Sequence, residues 1–425
     1  MIKRAFLLIL ILTLISVLLF SCAARNNDTD GSEEDVFDAV YIGVEDYGRA
    51  DRNTVLDPES CVFIFDTDSG QKTYKIDCGK IFEDDGSDHE DFSDVMSLDQ
   101  GAYRLHNLLR HGSRYRVTAS GDTITGLEKL TEETLYTPVI SGTPGERTLK
   151  NLIKTAFGPL GHCLYVYGGG WDYQDAGGSY ESETIGVQGS WEEFFKENDA
   201  DYLFKDEEHP ESSVFPFGSW NEYHYLGLDC SGYAGWVIYN TMYDEDRSHD
   251  SFVKGSSRMA DSLDTEYGFG TIVHESNDTE DPETDYSELF DELRTGDVVS
   301  VGHHVYIVLG KCSDGSVIII HSVNNDSVTG HEGGGVELSV LNPKGSGNEE
   351  CEAFRLADSY TKKYYPEWAE RYPMYSKDLD VYLSFPADKE TVGIFHWDLE
   401  SGSGLTDPDG YADMSAEEIL KDIFS

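Results

Sequence analysis

The sequence predicts an α+β protein, in which a cysteine-bearing helix packs on an antiparallel sheet behind a small all-β domain. Three observations point there. Residues 36–136 alternate short β-type runs with turn clusters. Tyr233–Met242 is apolar on every side and follows Asp229-Cys230-Ser231-Gly232, as a buried helix with an N-cap would. GDVVSV, HHVYIVLG and SVIIIHSV then follow one another across short turns, which predicts an antiparallel meander covered on both faces.

The elements follow in chain order. The opening MIKRAFLLILILTLISVLLFSC has the charged start and apolar stretch of an export signal, too short for a confident membrane span. It ends Leu19-Phe20-Ser21-Cys22, similar to a bacterial lipobox, so residues 1–22 are expected to be a lipoprotein signal with Cys22 as the lipidated residue; an uncleaved anchor is the alternative. Residues 23–35 are a polar, acidic tether. Within 36–136, VYIGVEDY, CVFIF and KTYKI, the last two joined by DTDSG, predict strands and a hairpin; YRLHNLL, SRYRVTA and TITGLEKL extend a small barrel. The DTDSG segment has a calcium-loop flavour but lacks the rest of that ligand pattern, which favours the turn.

Residues 137–425 form the second predicted unit. Thr143-Pro144-Gly145-Glu146 resembles a capping box, and Leu149, Leu152, Ile153, Ala156 and Phe157 continue with helical spacing. CLYVYGGGWD reads as a strand stopped by glycines, and residues 171–225 as an acidic, aromatic insert. A C-terminal extension, 340–425, contains a helical piece in YTKKYYPEWAERYP, strands VYLSF and VGIFHW, and a last helix capped by Ser415 and Glu418.

Composition narrows the function classes. With 81 acidic against 31 basic residues, the formal net charge is −50, which excludes nucleic acid as a natural partner. The seven cysteines show no CxxC pair and no dense even framework, so neither a zinc ribbon nor a disulfide scaffold is indicated; a Cys61–Cys78 bridge stays open. No HExxH or equivalent metal signature occurs, and Gly168–Gly170 lacks the lysine of a phosphate loop. No metal or cofactor is expected.

One cysteine stands apart. Cys230 would lie in the first turn of its helix, where the dipole and unpaired N–H groups favour a thiolate; its alternative is a small core residue. A thiol nucleophile needs a base, a group orienting that base, and oxyanion donors. His304 begins one apolar run and His321 ends the next, so in an antiparallel pair both rings reach one end of the sheet. Tyr165-x-x-Gly168-Gly169, Asp229-Cys230-Ser231-Gly232, Gly296-Asp297, His304-Val305 before Leu309-Gly310, and His321 occur in an order that resembles the NlpC-type cell-wall cysteine peptidases, over about residues 147–322.

The resemblance implies a reduced papain-like fold and hydrolysis of peptide bonds in peptidoglycan stem peptides, often between D-γ-glutamyl and a diamino acid. By it, Cys230 is the nucleophile, His304 the base and His321 its orienting partner. The backbone N–H of Cys230 and the Tyr165 hydroxyl would hold the oxyanion, and Asp229 and Ser231, which flank the nucleophile, would touch the substrate. Alternatives stand beside these roles: His303 as base, Asn324 as orienting group, Tyr165 as a core residue, Asp229 as a plain cap. An acyltransferase or amidase on the same scaffold, and a catalytically silent wall-binding lipoprotein, are the competing functions. The expected protein is a monomer outside the cell membrane, held by its lipid anchor, with residues 36–136 the candidate wall-binding unit. Two departures from the family stand out: the insert at 171–225, a candidate lid, and Tyr306 where the family is often small, on the same strand face as His304.

Overall fold

The computed structural model describes residues 34–44, 61–81, 105, 108–131, 134–166, 168–169, 185–200, 202, 224–243, 252–273, 286–324, 333–345, 350–386, 391–400 and 402–425. The expected signal segment with Cys22, most of the tether and much of the 171–225 insert lie outside them. The architecture is α+β, with two separate sheets.

The first sheet is a closed five-stranded barrel in the order β1-β2-β3-β5-β4. Its strands are β1 (Glu34–Val44), β2 (Phe63–Thr67), β3 (Gly70–Ile76), β4 (Arg114–Ser120) and β5 (Thr123–Lys129). Alternation turns Phe63, Phe65, Tyr115 and Val117 inward while Arg114 and Arg116 stay outside. The strand β1 is long enough to pair with β2 and β4 together, which closes the ring. The DTDSG segment is the β2–β3 hairpin turn, with Thr67 Oγ1 donating to the Gly70 carbonyl. The stretch YRLHNLL departs from the strand its composition predicts: Leu105 and Leu108 are helical, and Leu109 N–H donates to Leu105 O. Leu105 and Leu109 are thereby both buried in the barrel core, at helical rather than strand spacing.

The second sheet has six strands in the order β10-β9-β8-β7-β11-β6, every pair antiparallel. They are β6 (Gly270–Ile272), β7 (Val298–Val301), β8 (His304–Lys311), β9 (Val317–Asn324), β10 (Gly334–Leu341) and β11 (Gly393–Trp397). The predicted meander is β7-β8-β9, and both of its faces are covered. Val305, Ile307, Ile318 and Ile320 pack with the cysteine helix; Tyr306, Val308 and Ile319 pack with Tyr382, Leu383 and Phe385 beyond the other face.

The helices that matter here are α1 (Leu149–Phe157), α2 (Gly189–Glu197), α3 (Cys230–Met242), α4 (Glu352–Tyr364), α5 (Pro366–Arg371), α6 (Leu379–Tyr382) and α7 (Ala416–Ile423). The Ser415–Glu418 capping box forms as its sequence requires. The one expected at Thr143 does not. Helix α1 starts at Leu149 under Thr148, because Gly145 takes φ +77° and the Asn151 side chain holds Thr143 and Glu146 in a turn. CLYVY contributes only a single bridge, Leu164 to Gly335, in place of a full strand. VYLSF is not a strand either: Asp378 caps a short helix there, and Leu379, Tyr382, Leu383 and Phe385 are buried beneath the sheet. Residues 340–425 are more than an extension, since β11 fills the place between β7 and β6. Of the insert, α2 is packed, with Trp191 edge-on to Trp236 of α3 and Phe195 stacked on Trp368.

Candidate active site

The site is built on the first turn of α3. Asp229 caps that helix through Gly232 N–H at 2.8 Å, and its carboxylate also accepts from the Ser231 hydroxyl at 2.8 Å and from the N–H groups of Ser231 and Gly168. Asp229 and Ser231 therefore bind each other. Asp229 N–H in turn donates to Gly169 O at 2.7 Å, and Leu228 N–H to Leu164 O at 3.2 Å. The Tyr-x-x-Gly-Gly segment thus runs directly beside the residues leading to Cys230. A Cβ on Gly169 would come within 2.6 Å of Gly227 O, so only glycine allows this approach. Tyr165 is half-buried on that segment, with its N–H on Gly334 O of β10.

Cys230 is 6% exposed, and its sulfur accepts the N–H of Val305, the residue after His304. His304 Nε2 lies 2.6 Å from His321 Nδ1. The structure thus joins the two rings directly, whereas no hydrogen bond links Cys230 Sγ to the His304 ring among the described residues. Tyr382 packs against both rings, 5.2 Å from that of His304 and 5.6 Å from that of His321, and burial raises its hydroxyl well above the ordinary tyrosine value. His303 is exposed in the β7–β8 turn, and Asn324 is exposed at the end of β9, so neither holds the position expected of a base or its orienting group. Tyr306 does not crowd the mouth. It is buried behind His304, rings 6.3 Å apart, and its hydroxyl donates to Tyr382 O at 2.8 Å.

The electrostatics reverse one expectation. Burial, with the charge of Asp229 second, pushes the Cys230 thiol up to about 12, so these outweigh the helix end that alone would favour a thiolate. Burial and the Lys377 charge hold His304 down to about 3 and drive His321 well below its ordinary value. The resting site is a neutral thiol beside two neutral imidazoles. A nucleophile here must form as it attacks, by passing its proton to the ring.

Behind His321 lies a polar row that the sequence did not single out. His321 Nε2 is 2.9 Å from Ser339 Oγ, Ser339 Oγ is 3.1 Å from Glu337 Oε1, and Lys377 Nζ is 3.1 Å from the same oxygen. Ser339, Glu337 and Lys377 are all buried. Glu337 and Ser339, two apart within the apolar run Val336–Leu341, carry a legible signal: polar residues on one face of a covered strand. Lys377 carries none, because it reaches β10 through tertiary pairing, with Ser376 bridged to Val340 and Lys377 N–H on Val340 O.

The other elements of the motif hold structure. Asp297 is buried between His396 Nδ1, at 2.8 Å, and Arg294 N–H, at 2.6 Å, and burial raises it to about 6. Gly296 accepts from the Trp397 indole. The six described cysteines are free thiols, Cys61 and Cys78 included, and no group of His, Cys, Asp and Glu among the described residues gathers to hold a metal ion. No protein-family model matches the chain, and neither the curated proteins nor the solved structures contain a match to it.

Proposed function

We propose that the chain is an exported, lipid-anchored cysteine endopeptidase with a papain-like catalytic unit, hydrolysing peptide bonds in the stem peptides of bacterial peptidoglycan. The supporting observation is the short His304–His321 contact beside a cysteine at a helix N-terminus, whose sulfur takes the N–H of the residue following His304. In this mechanism Cys230 attacks the amide carbonyl as its proton passes to His304. His321 steadies the imidazolium, and the backbone N–H of Cys230 and the Tyr165 hydroxyl receive the oxyanion. The amine leaves with the proton from His304, and water, deprotonated by the same ring, releases the acyl group. Among the described residues no helix is long and apolar enough to cross a membrane. The anchor in the proposal is the lipid on Cys22, on the strength of the lipobox-like Leu19-Phe20-Ser21-Cys22. The five-stranded barrel is the proposed wall-binding unit.

The test is to incubate the mature protein and its Cys230→Ala variant with peptidoglycan and identify released fragments by mass spectrometry. New amine and carboxyl termini that depend on Cys230 are expected. Acylation of an added amine with no hydrolysed stem peptide would point instead to an acyltransferase, and identical fragments from Cys230→Ala would overturn the proposal.

A further inference from the structure

We propose that Ser339, Glu337 and Lys377 are positioning residues that fix the proton pattern of the imidazole pair, so that His304 offers an unprotonated Nδ1 to the thiol. The inference deepens the peptidase proposal and rests on its choice of His304 as the base.

The direction of every bond in the row follows from what each group can do. Lys377 Nζ carries only donors, and the Glu337 carboxylate it pairs with at 3.1 Å is an acceptor only. Ser339 Oγ, 3.1 Å from that carboxylate, has one proton and must give it to Glu337. Its lone pairs are left to face His321 Nε2 at 2.9 Å, so the ring must supply the proton for that bond. A neutral His321 protonated on Nε2 has an acceptor at Nδ1. His304 Nε2, 2.6 Å away, must therefore be the donor of its pair. A neutral His304 protonated on Nε2 keeps its lone pair on Nδ1, the nitrogen not engaged by His321.

Turned the other way, the row fails. A Ser339 hydroxyl donating to His321 would set its oxygen lone pair against the Glu337 carboxylate. The His321 proton would then move to Nδ1 and the His304 proton to Nδ1, leaving the thiol no acceptor. The buried ion pair thus acts at a distance: Lys377 holds the Glu337 carboxylate in place, Glu337 orients one hydroxyl, and two rings follow. In the forward step the thiol proton goes to His304 Nδ1, and the same nitrogen later gives it to the leaving amine; no proton travels along the row. A base held in the wrong tautomer can lose as much as ~10⁴ in kcat.

The test uses the full mature protein with ¹⁵N-labelled histidine, reading tautomers from long-range nitrogen–proton correlations, together with kcat and KM on peptidoglycan fragments. His304 and His321 are both expected as Nε2–H tautomers in the wild type. Ser339→Ala should scramble or reverse both and lower kcat between about tenfold and 10⁴-fold, with KM within about twofold. Ser339→Thr, which keeps the hydroxyl, should restore the tautomers and most of kcat. The paired replacement Glu337→Leu with Lys377→Met removes the ion pair without stranding a charge, so the fold persists while the freed hydroxyl reverses the row. A wild-type His304 protonated on Nδ1, or unchanged tautomers in both Ser339→Ala and the paired variant, would overturn the proposal. Because the spectra need no substrate, absence of cleavage by wild-type protein would count against the peptidase proposal alone.

Discussion

At the scale of single residues, Asp229 and Cys230 show how one side chain can serve structure and set chemistry together. The carboxylate secures the helix that carries the sulfur, and its charge helps hold the thiol protonated. Asp229→Asn keeps the cap and removes the charge, so the thiol pKa should fall and alkylation by iodoacetamide at pH 8 should quicken relative to wild type. A wild-type alkylation profile with its midpoint below about 8.5, the ordinary cysteine value, would contradict the buried, neutral thiol. Tyr306 invites a second measurement. Removing its hydroxyl in Tyr306→Phe should cost about 1 kcal/mol through the lost bond to Tyr382 O. Tyr306→Ala should cost about 3–5 kcal/mol, since a fully buried ring leaves a cavity under His304. Denaturant unfolding of the two variants separates these figures; equal losses would show that the ring contributes no packing.

At the scale of elements, the sheet carries its own response to acid. His304 and His321 have folded pKa values depressed below the ordinary 6.5, to about 3 for His304. Between those limits the unfolded chain binds the extra protons, so this contribution to stability is complete above pH 6.5 and is lost as pH falls towards 3. Asp297, raised to about 6, works in the opposite sense from there down to the ordinary aspartate value of about 3.9. The histidine pair should dominate below pH 5. Urea midpoints of wild type should drop between pH 6.5 and 4, and those of the His304→Asn, His321→Asn double variant should drop less; parallel curves would refute this. Much of this level was legible beforehand, and for a local reason. The helix α3 with its cap and the β7-β8-β9 meander are each written in one continuous apolar pattern, which places His304 and His321 before any coordinates are known. Tyr382 and Lys377 were not legible, because they come from α6 and from the segment just before it, and what brings them to the site is packing. The run Val381–Phe385 misled for the same reason: its β-type composition is overridden by burial beneath the sheet.

At the scale of the molecule, the barrel and the unit built on the six-stranded sheet meet at Tyr225, five positions before Cys230. Its hydroxyl accepts from His111 N–H at 2.6 Å, the Arg110 guanidinium lies 5.0 Å from its ring centre, and its carbonyl accepts from the Trp191 indole at 3.1 Å. Barrel, insert and the approach to Cys230 thus share one residue. Tyr225→Ala should loosen that joint, so that calorimetry resolves separate transitions of the barrel and of the six-stranded unit where a single one is expected for wild type; a single unchanged transition would show that the joint is not mechanical. The place of β11 reaches further. Until residues 393–397 have been made and delivered, β7 and β6 have no strand between them, and Lys377 arrives only shortly before. On the proposal that the chain is an exported hydrolase, its sheet would therefore stay incomplete until nearly the whole chain had crossed the membrane, because the blade is set in its handle last.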